Sequence, residues 1–132
     1  MKEATFDAAA DYIAGKAGGA VAKKIGSETA GFARQSASNA NTAARAANIA
    51  KQGAANAPNN AGKTRYAKVL TSEAKVANAT KRYDNALNKV VRSKGGNVQN
   101  EALQNRAAEK AKEKTKEARE AMRLRAEHNR PR

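Results

Sequence analysis

Val76, Thr80, Tyr83, Leu87 and Val90 recur along the chain at steps of four, three, four and three. Interleaved with them, Lys75, Asn78, Arg82, Asn85, Lys89 and Arg92 recur at steps of three, four, three, four and three. At about 100° per residue the two sets fall on nearly opposite sides of one α-helix. The pattern predicts a helix over about 63–93, with a possible interruption at Thr71-Ser72. One face is apolar enough to pack on a neighbour; the other carries four cations and two amides. If the helix is continuous, Arg65 and Lys68 extend the basic face.

Lys94-Gly95-Gly96-Asn97 ends that helix, because glycine accepts the backbone angles that close a helix and turn the chain. A second long helix is predicted over about 100–127, with Asn100 as N-cap, Glu101 in its first turn, and Leu103, Ala107, Ala111, Thr115, Ala118 and Met122 as its apolar stripe. Two helices of similar length joined by a short glycine turn predict an antiparallel αα-hairpin. Upstream, residues 5–25 place Phe6, Ala10, Ile13, Ala17, Ala20 and Val21 at helical spacing behind a Thr5 N-cap. Gly15, Gly18 and Gly19 weaken that segment by roughly 1 kcal/mol each relative to alanine, so it reads as a kinked amphipathic helix resting on a protein partner. Residues 28–52 are helical by propensity, but Phe32 and Ile49 are the only large apolar side chains between Ser27 and Asn60. That stretch is expected to lie along another surface instead of forming core. Gly53 and the following AANAPNN break it, since Pro58 drives Ala57 out of the helical region.

Composition sharpens this. Alanine supplies 33 of the 132 residues, whereas Leu, Ile, Val and Phe together supply only 15. A fully buried Leu or Val contributes roughly 1.5–3 kcal/mol and alanine little more than one methyl, against a backbone entropy cost of roughly 1–2 kcal/mol per ordered residue. The expected fold is therefore all-α, with long Ala-rich helices, a C-terminal antiparallel hairpin and a thin core that gains order within an assembly. Two regions are expected: residues 1–60, an Ala/Gly/Asn-rich amphipathic segment and linker, and residues 61–132, a basic hairpin with a short disordered tail.

The net charge is +14, of which residues 61–99 carry +7. Between Asp11 and Glu73 the only acid is Glu28. Such a chain attracts polyanions. The stripe of Arg65, Lys68, Lys75, Asn78, Arg82, Asn85, Lys89 and Arg92 contains no acid, and its mixture of long cations with amides suits phosphate oxygens, with Asn also able to meet base edges. With no Trp and only Tyr66 and Tyr83 nearby, a base-stacking platform is not expected. The expectation is backbone-directed contact with nucleic acid by a structural component of a nucleoprotein or virion-like assembly, with protein partners or self-association.

Residues 57–64, APNNAGKT, satisfy a relaxed phosphate-binding-loop pattern. That loop works only where a buried strand delivers it to a helix N-terminus and a second strand ends in a metal-organising acid. The preceding AANIAKQGAAN is helix-prone, and no later apolar run ends in Asp, so the string reads as a linker running into a helix start. His128 is the only histidine and there is no cysteine, so no cofactor, metal site or catalytic dyad is expected and the chain reads as a non-enzyme. Glu109, Glu113, Glu117 and Glu120 alternate with cations as a solvated ladder, with Glu109–Lys112, Glu113–Lys116 and Glu120–Arg123 as i,i+3 partners. Two alternatives belong to other classes. One is a membrane-active, pore-forming or ejection-type protein that meets an anionic membrane through residues 5–25, whose polar face bears Lys16, Lys23 and Lys24. The other is a small basic toxin or nuclease domain, which the missing histidines disfavour. No secretory signal or transmembrane span is expected, and the location is not indicated by the sequence.

Overall fold

A computed structural model of the chain describes residues 19–92 and 98–130, with side chains over 27–92 and 102–130. These residues are 94% helical, and no strand occurs among them. They form α1 (Gly19–Ala55), α2 (Ala61–Arg92) and α3 (Val98–Asn129), and α2 packs against both of the others. Most of the predicted helix over 5–25 and the Lys94-Gly95-Gly96-Asn97 turn lie outside the described residues.

α1 crosses the boundary expected between Ile25 and Glu28 without a break. One interior glycine, Gly26, costs about 1 kcal/mol relative to alanine, too little to stop a helix flanked by good helix formers. The break comes at residues 56–60, where Ala57 is non-helical ahead of Pro58. Asn60 then caps α2: its Oδ1 accepts the Lys63 backbone N–H at 3.1 Å. Gly62 leaves room for that cap, since a Cβ there would sit 3.3 Å from the Asn60 Oδ1. α2 runs through Thr71 and Ser72 without interruption, because their hydroxyls donate back to the helix's own carbonyls at Ala67 and Val69, both at 2.7 Å. Asn100 stands inside α3 instead of capping it, and at the far end α3 continues to Asn129, where His128 packs on Tyr66 at 5.7 Å between ring centroids.

The stretch expected to lie along another surface is instead part of the core. Thr29, Ala33, Ser36, Ala40 and Ala47 are buried, at steps of four, three, four and seven, and half-buried Ala43 completes the seam. Such a row of small residues lets two helices approach closely with little side-chain volume between them. Each alanine contributes little, so polar pairs matter here. Thr29 donates its hydroxyl hydrogen to Asn88 Oδ1 at 2.9 Å, and Ser36 donates to the buried Asp84 carboxylate. On its other flank α2 sets Ala86 and Val90 against Ala107, with Leu103 packed beside them. Further along, Glu73 accepts two hydrogen bonds from Arg125, both at 2.8 Å. Partner numbers thus fall along α3 as they rise along α2. The predicted α3 stripe departs from the structure: Thr115 is exposed and Met122 is 72% exposed, while Ala121 is buried. Three successive steps of four rotate about 120° around the helix and leave the seam.

Candidate nucleic-acid interface

Because α2 has neighbours on two flanks, only one strip of it faces outward. Lys68, Lys75, Arg82, Asn85, Lys89 and Arg92 are exposed along that strip, and Asn78 is half-buried beside it. Arg65 stands apart: it is half-buried, and its Nε is buried with no hydrogen-bond partner.

Neighbouring helices convert the strip into grooves. Between α2 and α3 a groove of about 340 Å³ is lined by Arg82, Asn85 and Lys89 from α2 and by Arg106 and Lys110 from α3, over a floor of Ala86 and Leu103. Four cations meet there, and among the described residues no acid lines it. Glu113 stands at its edge, 3.7 Å from Lys110 and 3.9 Å from Arg82. Between α1 and α2 a second groove of about 420 Å³ brings Asn41, Asn48 and Lys51 to Lys75, Asn78 and Lys81, again with no acid in its lining. Alanines 40, 44, 47 and 74 form its floor. The structure therefore places Lys75, Asn78, Arg82, Asn85 and Lys89 of the sequence-defined stripe in two grooves, leaves Arg65, Lys68 and Arg92 outside both, and adds cations from both neighbours.

A larger groove runs along α3, where Lys75, Lys112, Lys116, Arg119 and Arg123 alternate with Glu117 and Glu120. Acids within α3 answer part of its charge. Arg123 donates to Glu120 and, at 2.7 Å, to Glu127, and the Arg123 bond draws the Glu120 carboxyl below its ordinary pKa. In the two smaller grooves, by contrast, no acid stands among the described lining residues.

Arg106, Lys110, Asn41, Asn48, Lys51 and Lys81 escaped the sequence reading. For α1 a signal existed: Asn41, Asn48 and Lys51 sit at steps of seven and three in an acid-poor segment. For Arg106 and Lys110 it did not, since α3 mixes both signs and only packing selects which cations face α2.

Lys63 and Thr64 of APNNAGKT lie in the first turn of α2, preceded by a loop and the end of α1. No strand delivers them, so the requirement of a phosphate-binding loop is unmet. Among the described residues no group of three or more His, Asp or Glu could hold a metal ion, and no helix is long and apolar enough to cross a membrane. Comparison with known proteins returns no match: no family model fits the chain, and no curated protein or solved structure is similar to it.

Proposed function

We propose that this chain is a non-enzymatic, basic, Ala-rich helical protein that holds nucleic-acid phosphates as a structural part of a nucleoprotein or virion-like assembly. In this reading α2 and α3 form an antiparallel hairpin that presents the binding face, and further protein copies or partners complete the assembly. One observation carries it: Arg82, Lys89, Arg106 and Lys110 converge from two helices on a groove that no acid among the described residues lines. Glu113 at the edge answers only part of that charge, through Arg82 and Lys110, so the four cations keep a net repulsion, which a polyanion relieves. A merely solvated face gains nothing from that arrangement.

Binding to phosphates releases counterions, so affinity falls with salt in proportion to the contacts made. About four contacts give a log–log slope near −3.6, measured by titrating duplex DNA at several salt concentrations. Replacing Arg82 and Lys89 together by alanine should flatten that slope by about 1.8 and weaken binding to all sequences alike. Replacing Lys112 and Lys116, whose groove also holds Glu117 and Glu120, should change it far less. A chain with no salt-dependent affinity, or two double variants that behave the same, would refute the proposal.

A further inference from the structure

Two basic grooves of similar volume, with no acid among their described lining residues, flank α2, and the cations and amides of its outer strip line both. A polyanion held only by a flat basic face needs one track. Here there are two, one toward each neighbouring helix, lined on α2 by residues 71–81 and 82–89. An α-helix with its side chains is about 10–12 Å across. The major groove of B-form DNA is about 12 Å wide and 8.5 Å deep, and it is bordered by one phosphate backbone on each side.

We infer that the outer strip of α2 enters the major groove of a B-form DNA duplex, with one strand's backbone along the α1/α2 groove and the other's along the α2/α3 groove. This rests on the proposed nucleic-acid function and specifies its ligand. Three features support it. The cation sets are staggered along α2: Lys81 serves the α1 flank, Arg82 and Lys89 the α3 flank, and Lys75 lines grooves on both. A helix crossing a groove at a slant meets its two borders with that stagger. Next, Asn78 and Asn85 lie seven residues apart, about 10.5 Å along the helix, or roughly three base steps at 3.4 Å each. Asparagine pairs bidentately with adenine N6 and N7 in this groove, and each amide stands on the α2 wall of one phosphate track, Asn78 in the α1/α2 groove and Asn85 in the α2/α3 groove, beside the inserted helix. Finally, no Trp is present, and of the three Tyr, Tyr83 is buried in the core. That leaves little for stacking the bases of a single strand. A-form RNA is a poor fit, since its major groove is deep and too narrow for side chains to read.

The test uses the full chain and fluorescence anisotropy at one fixed salt concentration. Its probes are a DNA duplex of about 20 base pairs, the RNA duplex and single-stranded DNA of the same sequence, and the DNA duplex with glucose on its 5-hydroxymethylcytosines, which fills the major groove. The inference expects the plain DNA duplex to bind at least about tenfold tighter than each of the other three, while a minor-groove competitor leaves its affinity unchanged. Asn78→Ala with Asn85→Ala should reduce the preference for DNA over RNA without altering the salt slope, with helix content checked by circular dichroism. Lys51→Ala with Lys81→Ala should flatten the slope by about 1.8, as removing two phosphate contacts requires. Salt-dependent binding that ignores the glucose and treats both duplexes alike would overturn the inference and leave the proposed function standing. Absence of salt-dependent binding to every probe would overturn both.

Discussion

At Tyr83 three influences meet on one side chain: burial, the neighbouring carboxylate of Asp84, and the Lys114 ammonium 5.3 Å above the ring. Burial first, and the Asp84 charge second, push the phenol up from 10.0 to about 12. Between those values the unfolded chain has lost the phenolic proton and the folded chain keeps it. The folded state then binds more protons, so stability falls as pH rises through that window; below pH 10 the contribution is complete. Tyr83→Phe removes the titration. Urea unfolding at pH 9, 10, 11 and 12 should show a shallower loss for the variant than for the parent, and parallel curves would mean that the phenol ionises freely in the fold. At this scale the sequence was partly legible. Tyr83, Leu87 and Val90 are buried as their spacing predicts. Asp84 is 5% exposed, which a charged residue beside a predicted apolar stripe does not announce, because its partner Ser36 lies 48 positions away.

The seam between α1 and α2 shows what an element can hide. Ala33, Ala40 and Ala47 repeat every seven residues, and all three are buried. Nothing in so alanine-rich a sequence separates a packing alanine from a surface one, since both favour helix equally. The large apolar residue that would mark a face misleads: Ile49 is 70% exposed. The Pro58 break and the helices on either side of it were legible from propensity, but the start of α1 was not, since it runs through the boundary expected between Ile25 and Glu28, and neither was its partner, because a thin stripe carries almost no hydrophobic contrast. The seam has a measurable consequence. Ala47→Leu places three extra carbons where the residue is 3% exposed, and overpacking of this kind costs about 1–3 kcal/mol. Ile49→Ala, two positions away and outward, should stay within about 0.5 kcal/mol. Equal midpoints for the two variants in thermal unfolding would place the seam elsewhere on α1.

Across the whole molecule the charge is +14, yet the two signs are not mixed evenly over the surface. The acid-free stripe on α2 was visible in the sequence as periodicity. The grooves were not, because they exist only once α1 and α3 lie beside it. Glu113 is the acid nearest the α2/α3 groove, and with its side chain 48% exposed it competes with any ligand for Arg82 and Lys110. An exposed pair of this kind contributes little to folding, at most about 1 kcal/mol. Glu113→Gln should therefore leave the unfolding midpoint nearly unchanged and tighten duplex binding several-fold, with a steeper salt slope. An unchanged affinity in filter-binding titrations would show that Arg82 and Lys110 do not reach the phosphates.

The uniformity of the alanine seam makes α1 resemble a ruler whose divisions all look alike. Slid by one heptad, about 10.5 Å at 1.5 Å per residue, it would offer α2 nearly the same row of methyls. The marks on that ruler are its two polar pairs, Thr29 with Asn88 and Ser36 with Asp84. A slip in one direction sets Asp84 against Ala43, and a slip in the other sets Asn88 against Ala22. Either way one polar pair is reformed and the other polar group is stranded against a methyl, at about 1–3 kcal/mol. Two hydroxyls thus decide which alanine meets which, and with that whether Lys51 shares a groove with Lys75 or is carried a heptad along α2 from its place there.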